Sequence, residues 1–147
     1  MVIAALISWF ITAFVGLYLL AVWLIENDAA APSRLPGPVI FGHVFLALTG
    51  LVLWVIYVLT DTRRLAWAAL VILLVIAALG LTMFTRWIPV HRAFAVASTG
   101  PRAASAEFDF PAERNFPVSV VLGHGLLAAT TFTTVLLAVL GVGVGPS

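Results

Sequence analysis

Residues 39–49 read VIFGHVFLALT, and residues 120–130 read VVLGHGLLAAT. The two stretches share the pattern V-x-x-G-H-x-x-L-A-x-T, and Pro38 or Pro117 lies a few residues upstream of each Gly-His pair. Each stretch places one histidine, His43 or His124, early in a long apolar run. Because an ionisable side chain is costly inside a membrane, such residues mark functional sites by default. The pair of histidines is therefore the first candidate for a site.

The composition indicates that this chain lies in a membrane. Of its 147 residues, 63% are hydrophobic and 9% are charged, and the mean hydropathy is +1.19. Soluble domains carry about 25% charged residues, so in water this chain would expose large apolar patches. A net charge of +1 favours no nucleic-acid partner. The chain has no cysteine, which excludes disulfides, thiolate metal sites and iron–sulfur clusters.

Four apolar runs are each long enough to cross about 30 Å of hydrocarbon as a helix. Their continuous hydrophobicity favours helices over the alternating strands of a barrel. The sequence therefore predicts an all-α fold, a four-helix transmembrane bundle that forms a single membrane domain over residues 1–147. We expect an integral, multi-pass protein of the bacterial plasma membrane. The predicted helices cover about residues 2–25, 38–60, 65–88 and 117–142.

The connections between the runs differ in length. The tight turn Asp61–Arg64 forces the second and third helices to be antiparallel neighbours. Pro89 is expected to stop the third helix, since proline removes a helical hydrogen bond. Residues 89–116 are expected to form an extramembrane loop, with a short interfacial helix at His91–Ala97.

A second pair of matched stretches suggests an internal repeat. The runs that begin at Gly16 and Gly80 share the pattern G-L-x-x-x-x-x-W-[LI], which ends near Trp23 and Trp87. These tryptophans are expected at the level of the lipid headgroups, where amphipathic aromatics collect. The repeats predict two similar helical hairpins related by a pseudo-two-fold axis along the membrane normal. Chance similarity between Leu- and Val-rich helices is the alternative, and it explains poorly why Gly, His, Trp and Pro recur in register.

The repeat places the candidate site at one depth in the membrane. Both histidines are expected roughly 7–10 Å inside their helices, and Gly16 and Gly80 about 10 Å before the interfacial tryptophans. Ala47 and Ala128 lie four residues after the histidines. Residues four apart share a helix face, so these alanines extend the histidine faces.

Histidine nitrogens are the only candidate metal ligands in the apolar runs, because no Cys, Asp or Glu lies within them. Two histidines alone make a poor zinc site, since zinc takes four ligands. Two axial histidines suffice for haem, because the porphyrin supplies the other four nitrogens. The glycines then permit the close backbone approach that a planar macrocycle needs.

This arrangement resembles the four-helix haem-binding core of the cytochrome b family of quinol-oxidising complexes. The resemblance implies that His43 and His124 ligate haem b, and that Gly16 and Gly80 match the glycines that admit it. That family carries a second histidine on each ligand helix, whereas this chain has one, so one haem is the maximum. The family's long chain and quinol-site motifs are also missing here.

The sequence thus predicts a b-type cytochrome subunit that exchanges electrons with a partner subunit, another copy of the chain or a quinone. Its role would be the electron-transfer subunit of an oxidoreductase complex. Arg86 is the best candidate to pair with a haem propionate. In the alternative hypothesis the chain is a haem-free accessory subunit that stabilises or assembles a larger membrane complex, with the histidines making packing hydrogen bonds. A transporter or channel is disfavoured because the spans contain no acid and no helix break.

Overall fold

The computed structural model describes residues 1–26, 33–99 and 111–142. Four α-helices and one short 3-10 helix make up this part of the chain, and it contains no strand. In order they are α1 (Val2–Glu26), α2 (Gly37–Thr60), α3 (Arg63–Thr99), the 3-10 helix (Ala112–Asn115) and α4 (Val118–Val139). Each α-helix is long and apolar enough to cross a membrane. The prediction of an all-α, four-helix, multi-pass membrane protein is confirmed.

Prolines and one left-handed residue set the helix ends. α2 and α4 each follow an extended proline, Pro36 or Pro117. Proline is tolerated there because the first helical N–H groups have no partner within the helix. α2 ends at Asp61, whose φ of 53° is left-handed and whose N–H donates to the Tyr57 carbonyl. Aspartate adopts this conformation more readily than most residues, and it closes the turn into α3.

The four helices alternate in direction. At one end of the bundle Trp54 Nε1 donates to the carbonyl of Val2 at 3.4 Å, and Arg63 donates to the carbonyl of Val139 at 3.4 Å. The opposite end holds the 3-10 helix, which packs against α1 and α3. The most extensive helix contacts are α2 with α3 and α1 with α4. The predicted antiparallel pairing of the second and third helices is therefore present.

Two clusters of buried apolar side chains fill the ends of the bundle. The terminal cluster lies near both chain termini and includes Trp9, Trp54 and Val135. The loop-end cluster lies beside the 3-10 helix and contains Trp23, Leu35, Ile40, Trp87, Ala112 and Phe116. Both Trp23 and Trp87 are thus buried in the bundle, not directed outward as headgroup-level aromatics. The candidate site lies between the two clusters.

The prediction that the third helix stops at Pro89 is wrong, since α3 continues to Thr99. A proline inside a helix costs about 3 kcal/mol, so packing must offset it. Trp87 and Val90 are buried on either side of Pro89, and the rings of Trp87 and His91 stack with centres 5.0 Å apart. Contact between α3 and the 3-10 helix adds to this packing. The helix expected at His91–Ala97 therefore exists as the end of α3, while residues 100–110 of the predicted loop lie outside the described residues.

Gly50 packs closely against Trp9 of the terminal cluster. A Cβ atom at Gly50 would lie 2.9 Å from Trp9 Cζ2 and 3.2 Å from Ile72 Cγ2. Gly50→Ala is therefore expected to destabilise the bundle by about 1–3 kcal/mol through overpacking, measured by denaturant titration in detergent. Gly42→Ala is the control, because a Cβ at Gly42 meets no atom within 4 Å. Gly42→Ala should be neutral or stabilising by up to about 1 kcal/mol, and equal destabilisation by both variants would contradict this account.

Candidate functional site

The structure brings the two predicted histidines together across the bundle. The ring centres of His43 on α2 and His124 on α4 lie 6.4 Å apart, and their planes are inclined by 60°. Both side chains are half-buried and line one cavity. The matched sequence stretches therefore do place one imidazole from each half of the chain at a common site.

A backbone carbonyl on a neighbouring helix orients the imidazole of His43. His43 Nδ1 lies 3.1 Å from the Ile76 carbonyl oxygen on α3. Since a carbonyl only accepts, Nδ1 carries the proton and Nε2 keeps the lone pair. His124 lies near the backbone of Thr12 on α1, and its buried Nδ1 has no hydrogen-bond partner. Metal-binding histidines commonly have their second nitrogen fixed by such a carbonyl, which leaves the other nitrogen available as a ligand.

Glycines lie directly against the two imidazoles. A Cβ atom at Gly16 would lie 3.0 Å from Cε1 of His124, and one at Gly80 would lie 3.3 Å from Cε1 of His43. Gly16 follows Thr12 by four residues, and Gly80 follows Ile76 by four. Each glycine therefore leaves room for an imidazole ring that a Cβ atom would crowd. The sequence predicted glycines near a planar ligand, whereas the structure shows that they accommodate the histidine rings.

The histidines face a cavity of about 660 Å³. This volume lies within the range of about 300–1,000 Å³ typical of cofactor and small-molecule sites. In the described part of the chain, its lining is mostly apolar and includes the indoles of Trp23 and Trp87. Its other polar side chains are those of His43, His124 and Thr133. An apolar space with two convergent imidazoles is suited to a large apolar ligand that carries a metal.

The other predicted site residues divide into two groups. Gly16, Gly80 and Ala128 line the cavity. Ala47 packs against the terminal cluster instead. Arg86 is exposed and donates to the carbonyl of Arg34 at 3.3 Å, outside the cavity lining. Its pairing with a propionate stays a prediction.

A lid of buried side chains closes the loop end of the cavity, and sequence reasoning missed it. Trp23 Nε1 donates to Ser33 Oγ at 2.9 Å, and Ser33 Oγ in turn donates to Oε1 of Glu113. The Leu35 N–H donates to the same carboxylate oxygen at 2.7 Å. Glu113 is fully buried, so the 3-10 helix is fastened to the connection between α1 and α2. A lone acid between two prolines gave no periodic signal that could have revealed this role.

No known protein family, curated protein or solved structure gives a significant match to this chain. The site must therefore be interpreted from its own chemistry. Within residues 1–26, 33–99 and 111–142, no group of three or more His, Asp or Glu side chains could hold a metal ion. Any metal held by the two histidines must bring its remaining ligands with it.

Proposed function

We propose that the protein is a b-type cytochrome subunit of a bacterial plasma membrane, which binds one haem b through His43 and His124. The proposal rests on the 6.4 Å separation of the two imidazole centres beside an apolar cavity. Two imidazoles that bind one metal ion from opposite sides, with bonds of roughly 2 Å, have ring centres about 6 Å apart. The porphyrin supplies the ligands that the protein lacks.

A bound haem supplies one-electron redox chemistry. The chain's own residues hold and tune it. His43 and His124 fix its position, and the Ile76 carbonyl fixes the orientation and basicity of His43. The apolar lining keeps water out, and this low polarity contributes to the redox potential. The electron partner is a second membrane subunit, another copy of the chain or a quinone.

The two hairpins are proposed to be structural copies. Gly16 contacts His124 between α1 and α4, while Gly80 contacts His43 between α3 and α2. A two-fold axis that exchanges the hairpins exchanges these two contacts. It also exchanges the two most extensive helix pairs, α1 with α4 and α2 with α3. These correspondences support an internal repeat built around the ligand pair.

The spectrum of the purified protein tests the proposal. Protein produced with ample haem is expected to show a sharp reduced-minus-oxidised alpha band of a low-spin b-type cytochrome, with one haem per chain. The band would arise because His43 and His124 would both hold the haem iron. A chain that folds under these conditions and shows no such band is not a cytochrome.

The haem-free accessory subunit remains the second candidate, and one observation favours it. The hydrogen bond from His43 to the Ile76 carbonyl also serves helix packing without any ligand. Packing alone gives no reason for a cavity of about 660 Å³ beside both rings. The same spectrum separates the two candidates.

A further inference from the structure

The cavity is closed at both ends of the bundle. At the loop end Trp23, Leu35, Trp87 and Phe116 line it, and each is at most 9% exposed. The lid that includes Glu113 lies behind them. Toward the termini, the hydroxyls of Thr12 and Thr131 are 3.0 Å apart and join α1 to α4 above the terminal cluster. A ligand as large as haem therefore has no axial path into the site through the described residues.

The cavity is open on one side, between α3 and α4. Ala77 and Leu81 of α3 and Leu122, Gly125, Ala129 and Thr133 of α4 line this lateral opening. All six residues are exposed at the surface of the bundle. They belong to membrane-spanning helices, so the opening faces lipid and not water.

On the opposite side, between α1 and α2, the residues that line the cavity are buried or half-buried, and the α2 side chains there are larger. In the aligned repeats, α2 has Phe41 at the position of Leu122 in α4, Val44 at the position of Gly125, and Leu48 at the position of Ala129. Phe41 packs edge-on against Trp23, with ring centres 6.1 Å apart. The two hairpins thus differ in the size of these side chains. The smaller residues on α4 leave the lateral opening between α3 and α4.

We propose that the site takes up haem from the bilayer through the lateral opening, and that Gly125 and Ala129 set its width. The inference rests on the proposed haem-binding function. Haem is largely apolar, so it partitions into lipid. Because it is planar, it would pass through the opening with one edge of the plane leading.

Haem uptake by the apoprotein in phosphatidylcholine vesicles tests this route. Haemin is added in separate vesicles, and binding and release are followed by Soret absorbance. Gly125→Leu is a suitable variant because a Cβ at Gly125 meets no atom within 4 Å, so the fold has room for a side chain. Gly123→Leu on the same helix is the matched control, since Gly123 is equally unobstructed and does not line the cavity.

Gly125→Leu is expected to slow haem release about tenfold, equivalent to about 1.4 kcal/mol in that barrier, and to slow binding at least as much, because the leucine side chain narrows the opening. Ala129→Phe should behave alike, while Gly123→Leu should match the wild type. Unchanged rates in Gly125→Leu and Ala129→Phe, or faster release from either, would overturn the lateral route. If the wild type takes up no haem, the proposed function itself fails.

Discussion

His43→Ala and His124→Ala are each expected to remove the low-spin haem spectrum. Loss of a residue that merely orients a metal ligand weakens metal binding about 10–100-fold, so loss of the ligand itself should cost at least about 100-fold. No other His, Asp or Glu of the described cavity lining can replace it. Haem titration of the purified variants, followed by absorbance, measures the effect.

Two comparisons separate ligand loss from misfolding. His43→Gly and His124→Gly leave a space in which added imidazole should restore the low-spin spectrum, because the small molecule supplies the missing nitrogen. His91→Ala should keep the full spectrum, since His91 stacks on Trp87 outside the cavity lining. A His43→Ala or His124→Ala protein that retains the complete low-spin band would show that another group binds the iron.

Glu113→Ala is expected to open the lid at the loop end. The substitution removes the carboxylate that accepts from the Ser33 hydroxyl and the Leu35 N–H, and it leaves these groups only the contacts they make with each other. Two lost hydrogen bonds cost about 1–3 kcal/mol together. Hydrogen exchange at the Leu35 amide should therefore accelerate about ten- to hundredfold, and the thermal midpoint in detergent should fall.

Glu26→Gln is the matched control for the lid. Glu26 accepts from Asn115 Nδ2 at 2.8 Å, but this contact is exposed, so its loss should change stability by no more than about 0.5 kcal/mol. The exchange rate at Leu35 in Glu113→Gln should lie between those of Glu113→Ala and Glu26→Gln, because the glutamine side chain keeps one acceptor oxygen. Equal exchange rates at Leu35 in Glu113→Ala and Glu26→Gln would mean that the carboxylate does not hold the lid.

The sequence predicted the features that depend on hydropathy and on spacing. Apolar runs of membrane length located all four α-helices, and α1, α2 and α4 agree with the structure to within a few residues at each end. Matched spacing in the repeats identified His43, His124, Gly16 and Gly80, which the structure brings together. These features can be predicted from sequence because the thickness of the bilayer sets the helix length, and the helical repeat sets the spacing of residues on one face.

Features that depend on tertiary contact escaped prediction. Pro89 is a helix stop by local rules, and only the burial of Trp87 and Val90 explains why α3 continues. Ala47 shares the periodicity of Ala128, yet it packs against the terminal cluster, whereas Ala128 lines the cavity. Glu113 lies in an irregular segment, where no period indicates which groups it will meet.

The carbonyl of Ile76 has two partners, and this limits how far the imidazole can move. As part of α3 it accepts the helical N–H of Gly80, and it also accepts from His43. Turning the ring would leave both the imidazole N–H and one carbonyl lone pair unsatisfied in an apolar surrounding. In the proposed cytochrome, an imidazole held this firmly would keep its orientation when the charge on the bound metal changes. His43 would thereby lower the reorganisation energy of electron transfer.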